Sequence, residues 1–120
     1  MGATHVTAAV VNPADPELRW EELFLVDTDA IDCMAPGREL RNIGITPSGK
    51  RVYELADGTE IIMEVAVARI EFMGEFVGAT IIFGPDDVEP ILGVTALESV
   101  GIEVDPQSQR LKRLPAVRLK

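Results

Sequence analysis

The sequence has few cysteine, histidine and aromatic residues. Its 120 residues include one Cys, one His, one Trp, one Tyr and four Phe. A single cysteine, Cys33, cannot form an intrachain disulfide. Cys33 and the single histidine, His5, lack any signature of a thiol dyad, so a buried side chain and a surface imidazole are the simpler interpretation.

Basic residues and long apolar runs are also scarce. Eleven Lys plus Arg stand against twenty Asp plus Glu, a formal net charge of −9, which argues against binding to nucleic acid phosphates or anionic lipid. The apolar segments 61–72 and 77–83 are too short to span a bilayer. The N-terminal residues have no basic n-region followed by an apolar segment, so we expect a cytoplasmic protein without a membrane anchor. With 47% hydrophobic residues, we expect one domain, residues 1–120, around one core.

The apolar patterning predicts a mainly β fold with one or two short helices. Pro36 and Gly44 are suited to the first turn and the left-handed cap of one helix. Thr95 and Glu98 have the capping-box spacing expected at the start of another. Asp57-Gly58 predicts a hairpin turn with both residues at positive φ. The predicted strands cover residues 6–10, 20–26, 52–55, 59–72, 76–83 and 102–104, and the basic segment 110–120 offers edge strands for pairing.

A short internal repeat suggests two related halves. Residues 40–45 and 97–102 share the pattern Leu-x-x-apolar-Gly-Ile, and each follows an apolar strand. The match is far too short for a solenoid. It is consistent with a pseudo-symmetric domain.

The stretch from Leu23 to Ala30, LFLVDTDA, resembles the signature of retropepsin-like aspartic proteases, in which an apolar strand precedes Asp-Thr-Gly-Ala. Further features of that family follow in order: a hairpin like the flap around 56–58, the strand 77–83, and Pro90-Ile91-Leu92-Gly93 before a short helix. The resemblance covers roughly residues 4–105. It is strongest to the small bacterial and archaeal single-domain members, in which a segment like 92–98, LGVTALE, recurs.

The resemblance implies half of a closed barrel that a homodimer completes, with one catalytic aspartate, Asp27, from each chain. It implies an aspartic endopeptidase whose substrate is an extended peptide or protein, and whose reaction requires no metal and no cofactor. Thr28 would tie the two catalytic loops together. The other site residues implied are Asp29 and Ala30 in the active-site loop, Leu55, Ala56, Asp57, Gly58 and Thr59 in the substrate-binding flap, and Ile91, Leu92 and Gly93 in the hydrophobic-Gly motif.

Asp29 departs from the family pattern because it stands where the family has glycine. A carboxylate there adds bulk and charge beside the catalytic pair, so we expect activity at lower pH or an obstructed, silent enzyme. A silent dimer that binds extended peptides or scaffolds a partner is the alternative, and an acidic β domain without a cleft is a third interpretation. Asp27, Asp29 and Asp32 do not fit a calcium loop, because the central glycine and terminal glutamate of an EF-hand are missing.

Overall fold

The computed structural model describes residues 3–120. The described chain is mainly β, as predicted. Its elements, in chain order, are β1 (His5–Asn12), β2 (Asp15–Asp27), β3 (Cys33–Pro36), α1 (Gly37–Asn42), β4 (Gly49–Glu54), β5 (Glu60–Phe72), β6 (Glu75–Gly84), β7 (Ile91–Gly93), α2 (Val94–Ser99), β8 (Ile102–Val104) and β9 (Leu111–Arg113).

Six strands close into a ring in the order β1-β2-β7-β3-β6-β5, because β5 also pairs with β1. The pairings are antiparallel except β2 with β7 and β3 with β6. β4 is added to β5 outside the ring. A closed ring leaves no edge between these six strands, so the core is enclosed on all sides by paired backbone.

The interior of the ring holds the core. Strand residues alternate between interior and surface, as Ala66, Ala68 and Ile70 do on β5. The ends of the core are covered by residues of the two helices, Leu40 and Leu97, which are fully buried. The largest fully buried side chains are Phe24, Leu40, Ile70, Ile81, Leu92, Leu97 and Ile102. This apolar interior fixes the strand that ends at Asp27.

β5 changes environment halfway along its length. Residues 60–64 pair with β4 and remain exposed or half-buried, whereas residues from Val65 onward enter the ring. Together β4 and the first part of β5 form a projecting hairpin, residues 49–64. The flap predicted from the sequence, residues 55–59, is the loop at its end, and we use the name predicted flap for the whole hairpin below. Its arms are held by the β4–β5 ladder, and none of residues 49–64 is buried, so this hairpin has fewer buried contacts than the ring.

The β4–β5 and β5–β6 hairpins have different turns. Gly58 has φ 88°, but Asp57 is not at positive φ, so the predicted turn with two left-handed residues is wrong. The Gly58 amide instead donates to the Leu55 carbonyl at 2.9 Å, which makes a three-residue loop with glycine at the left-handed position. The two-residue turn occurs at Met73-Gly74, where both residues have positive φ.

The two repeat segments have the same local structure. β3 runs into α1 and β7 runs into α2, and each helix ends before a glycine of positive φ, Gly44 at 82° and Gly101 at 71°. The capping box predicted for α2 is wrong: Gly93 is the N-cap residue, and no side chain caps the helix. The Ser99 hydroxyl donates to the carbonyl of Thr95 at 2.7 Å.

The C-terminal segment pairs within its own chain. β8 and β9 form a separate two-stranded antiparallel sheet. The Arg113 guanidinium donates to the Met73 carbonyl at 2.6 Å and also pairs with Glu75. Leu119 remains 94% exposed. Within residues 3–120, neither helix is long or apolar enough to cross a membrane.

Candidate active site

Asp27 is the last residue of β2, where the strand leaves the ring. Phe24 and Val26 anchor the strand in the core, and the Asp27 side chain is half-buried at its end. The Asp27 carboxylate accepts a hydrogen bond from the Asp29 amide at 3.0 Å, and its carbonyl accepts one from the Ala30 amide at 3.1 Å. These two bonds form a tight turn of residues 27–30, in which the Asp27 carboxylate is oriented by backbone.

The predicted hydrophobic-Gly motif lies directly beside this turn. β7 pairs with β2 so that Leu25 faces Ile91, Val26 faces Leu92 and Asp27 faces Gly93. Leu92 is fully buried. The motif therefore supplies the strand that pairs with the end of β2, beside the predicted catalytic aspartate.

Gly93 is required by close packing. A Cβ atom at this position would lie 2.5 Å from the Asp32 carbonyl oxygen and 2.8 Å from that of Ile31. The start of α2 then fixes the same loop, since the Val94 amide donates to the Ala30 carbonyl at 2.8 Å. Residues 27–32, which we call the active-site loop, are thus held at both ends by β7 and α2.

Asp29 fits the loop without backbone strain. Among the described non-glycine residues only Met73 and Gln109 have positive φ, so the Asp29 position does not demand glycine for its conformation. The Asp29 side chain is exposed and lines the same cavity as Asp27. Its effect is therefore on the charge and the space of the cavity, not on the folding of the turn.

A cleft of about 620 Å³ lies between the active-site loop and the predicted flap. The acidic residues lining it are Asp27, Asp29, Asp32 and Glu54, and the one basic residue is Arg51. The remaining lining residues are Ala30, Ile31, Val52, Tyr53, Leu55, Ala56 and Ile82. This depression counts against the interpretation as a β domain without a cleft.

The cleft brings together only part of the predicted site. Asp27, Asp29 and Ala30 share it with the flap residues Leu55 and Ala56. Asp57, Gly58 and Thr59 form the exposed tip of the hairpin and do not line it. The tip is ordered by its own bonds, since the Thr59 amide donates to the Asp57 carboxylate at 2.9 Å. The Thr59 side chain, followed by this amide, lowers the pKa of Asp57.

Three cleft residues form a polar cluster that the sequence analysis did not find. The Tyr53 hydroxyl donates to Asp32 Oδ2 at 2.7 Å, and Arg51 Nη1 donates to the same oxygen at 3.1 Å. Burial, followed by the adjacent Asp32 carboxylate, raises the pKa of Tyr53 to about 12. The partners are about twenty residues apart in sequence. The only local signal is the spacing of Arg51 and Tyr53, which places them on one face of a strand.

Thr28 points to a second depression. It lines a groove of about 700 Å³ formed mainly by α2, β8 and the C-terminal segment. Val94, Leu97, Ile102 and Val117 give this groove apolar walls. Thr28 is exposed there, whereas its neighbours Asp27 and Asp29 line the cleft, so the turn separates the two depressions.

Cys33 lies beneath the active-site loop at the start of β3. It is 1% exposed, and burial raises its pKa to about 11. Its sulfur accepts a long contact from the Gly93 amide at 3.5 Å. A protonated, buried thiol is a packing group rather than a nucleophile.

No protein-family model and no curated protein sequence matches this chain. Among solved structures, the chain is similar to the simian foamy virus (mac) protease, whose structure was determined in solution. The TM-score is 0.55 at 16% identity, over 78% of this chain and 90% of the viral protein. The chain therefore has a mainly β, retropepsin-like fold, which confirms the fold class that the sequence resemblance implied, whereas completion of the barrel by a second copy stays a prediction.

Proposed function

We propose that this chain is one half of a homodimeric aspartic endopeptidase, in which Asp27 of each copy forms the catalytic pair. The observation that carries the proposal is the position of Asp27, on a backbone-fixed turn that opens into a cleft bounded by a projecting hairpin. The retropepsin-like fold supports this assignment. A chain with one such aspartate needs a second copy to supply the other carboxylate.

The surface around Thr28 supports dimerisation. The groove that Thr28 lines has apolar walls, formed by residues such as Val94, Leu97 and Val117. Residues 110–120 carry five basic and no acidic side chains on a chain of net charge −9, so the tail and the body are oppositely charged. Contact between two copies at this surface would bury apolar area and bring the two active-site loops together.

The proposed chemistry uses a water molecule and one shared proton. Two carboxylates facing each other do not both ionise at low cost, so the pair holds one proton between them. The ionised Asp27 removes a proton from water, which attacks the scissile carbonyl carbon. The protonated Asp27 of the second copy stabilises the oxygen that becomes negative. The proton received by the first carboxylate is then available to the leaving amine.

The substrate would bind as an extended strand between the active-site loop and the predicted flap. β4 pairs in the sheet only with β5 among the described strands, so backbone groups along its other edge are free for pairing. The cleft then holds the alternating side chains that point inward. This arrangement favours peptides or unfolded protein segments over compact substrates.

Asp29 supports the alternative proposal, a silent dimer that binds peptides without cleaving them. Its carboxylate lines the cleft two residues from Asp27, and a dimer contains two copies. The added charge and volume oppose a bound peptide carbonyl at this point. The two functions share one fold and one cleft, so only an activity measurement separates them.

The test is cleavage of a peptide library, followed by mass spectrometry between mildly acidic and neutral pH. The chain, Asp27→Asn and Asp29→Gly are compared at equal concentration. Asp27→Asn removes the base but preserves the side-chain shape, and Asp29→Gly restores the residue of the family signature. The proposal predicts that Asp27→Asn abolishes cleavage, by at least about a thousandfold.

Cleavage by the chain itself, lost in Asp27→Asn, supports the protease. Cleavage by Asp29→Gly alone supports the silent dimer, provided that the chain still binds the peptides that the variant cuts. No cleavage by any of the three, or cleavage that survives Asp27→Asn, contradicts the proposed activity.

A further inference from the structure

A polar contact joins the predicted flap to the active-site loop. Tyr53 and Arg51 lie two residues apart on β4 and both donate to Asp32 Oδ2, at 2.7 Å and 3.1 Å. Asp32 belongs to the active-site loop, five residues after Asp27. The contact therefore connects the predicted flap to the loop that carries Asp27.

Asp32 is fixed on the side away from the flap. Its carbonyl group packs against Gly93 so closely that no Cβ fits between them. The loop residues before it are held by α2, where the Thr95 amide donates to the Ile31 carbonyl at 3.3 Å. Asp32 is thus packed against the ring, and a side chain that binds its carboxylate is connected to the ring.

The bond from Tyr53 to Asp32 has the features of a strong contact. The Asp32 side chain is only 11% exposed, and a hydrogen bond to a charged acceptor in a sheltered place is stronger than a neutral one. Arg51 is half-exposed, so its ion pair with Asp32 contributes less. The hydroxyl of Tyr53 remains protonated at neutral pH and is always available as a donor.

We propose that the Asp32–Tyr53 bond is a latch that holds the first flap strand, β4, against the active-site loop and sets the width of the cleft. Asp32 and Tyr53 are positioning residues and take no part in the chemistry. The latch itself is a property of the fold. Its effect on peptide turnover rests on the proposed function.

Hydrogen–deuterium exchange tests the latch without any assumption about activity. Tyr53→Phe preserves the ring and removes only the hydroxyl. The expected result is faster exchange of the amides of β4 and the flap loop, by about tenfold, with unchanged exchange in β1 and β6. Arg69→Gln is the matched control, because it removes an exposed ion pair with Glu71 of similar length, 2.8 Å, outside the flap.

The double variant Tyr53→Phe, Asp32→Ala separates one shared contact from two independent effects. If the two side chains act through one bond, β4 in the double variant exchanges no faster than in Asp32→Ala. The latch would be overturned if the effects of the two substitutions on β4 exchange multiplied in the double variant. It would also be overturned if β4 exchanged at the same rate in Tyr53→Phe as in Arg69→Gln.

Kinetics then test the consequence for the cleft, with whichever of the parent chain and Asp29→Gly cleaves. A loosened flap weakens binding of the substrate and of the transition state by the same free energy. Tyr53→Phe should therefore raise KM several-fold and leave kcat within about twofold. Partial unfolding would instead lower the apparent kcat at constant KM, and that pattern counts against the latch. If no version cleaves, the proposed function fails, while the exchange experiment still decides on the latch.

Discussion

Replacement of Gly93 by alanine tests whether the active-site loop is packed against β7. An added Cβ would lie 2.5 Å from the Asp32 carbonyl oxygen and 2.7 Å from its carbonyl carbon, both backbone atoms. The loop would have to retreat by about 0.9 Å to reach ordinary contact at 3.4 Å. That movement strains the backbone bond from Val94 to Ala30, now 2.8 Å long.

The expected cost of Gly93→Ala is about 3 kcal/mol in the free energy of unfolding. Overpacking of a closed site contributes about 1–3 kcal/mol, and a weakened backbone hydrogen bond about 1 kcal/mol. For a chain of this size the melting temperature should fall by roughly 10 °C. Urea denaturation followed by circular dichroism measures the first quantity, and calorimetry measures the second.

Gly78→Ala is the matched control for this prediction. Gly78 lies on β6 with no atom within 4 Å of the added Cβ and without positive φ. The alanine restricts the unfolded chain more than the glycine does, so the expected change is within about 0.5 kcal/mol of zero or slightly stabilising. Equal stability of Gly93→Ala and Gly78→Ala would refute the packing of the active-site loop against β7.

Two further predictions concern alkaline stability and assembly. The Cys33 thiol has a pKa near 11 in the folded chain against 9.0 ordinarily, so the folded state favours the protonated thiol. The contribution of this thiol to the free energy of unfolding is complete below pH 9 and is lost between pH 9 and 11. The loss is at most about 3 kcal/mol. In urea titrations across this pH range, Cys33→Ala should lose less stability than the parent. Equal losses in the two proteins would contradict the raised pKa of Cys33 in the folded chain. Sedimentation equilibrium should give twice the 13.0 kDa chain mass, and a monomer at all concentrations would contradict the proposed dimer.

Local sequence was sufficient for most of the fold. The longer strands and both short helices follow from apolar spacing and from Pro36, Gly44 and Gly101, because these features act within a few residues. The short strands β3 and β7, which complete the ring, were not predicted. Helix α2 shows the limit of this reasoning, since Thr95 and Glu98 have capping-box spacing but the strand β7 runs directly into the helix and Gly93 takes the cap position. The sheet pairing, not the side chain, determines where α2 begins.

The position of Asp27 at the end of a strand was predicted from the sequence, but the contacts that hold the loop around it were not. The place of Asp27 at a strand end follows from the apolar run before it. The bond between Tyr53 and Asp32 does not, because it joins residues that only the path of the barrel brings together. The close approach of Gly93 to Asp32 also depends on tertiary structure. The sequence alone does not show which atoms lie where the Cβ of a side chain at position 93 would be.

Mixing of subunits tests the central claim, that each active site takes one Asp27 from each of two chains. The active version, either the parent or its Asp29→Gly form, is refolded together with an equal amount of the same version carrying Asp27→Asn, and peptide cleavage is measured. If the two chains pair at random and mixed dimers are inactive, activity falls to about half that of the active chain alone, and to about a tenth with a ninefold excess. Activity that does not change with added Asp27→Asn chain would contradict a site shared between two copies.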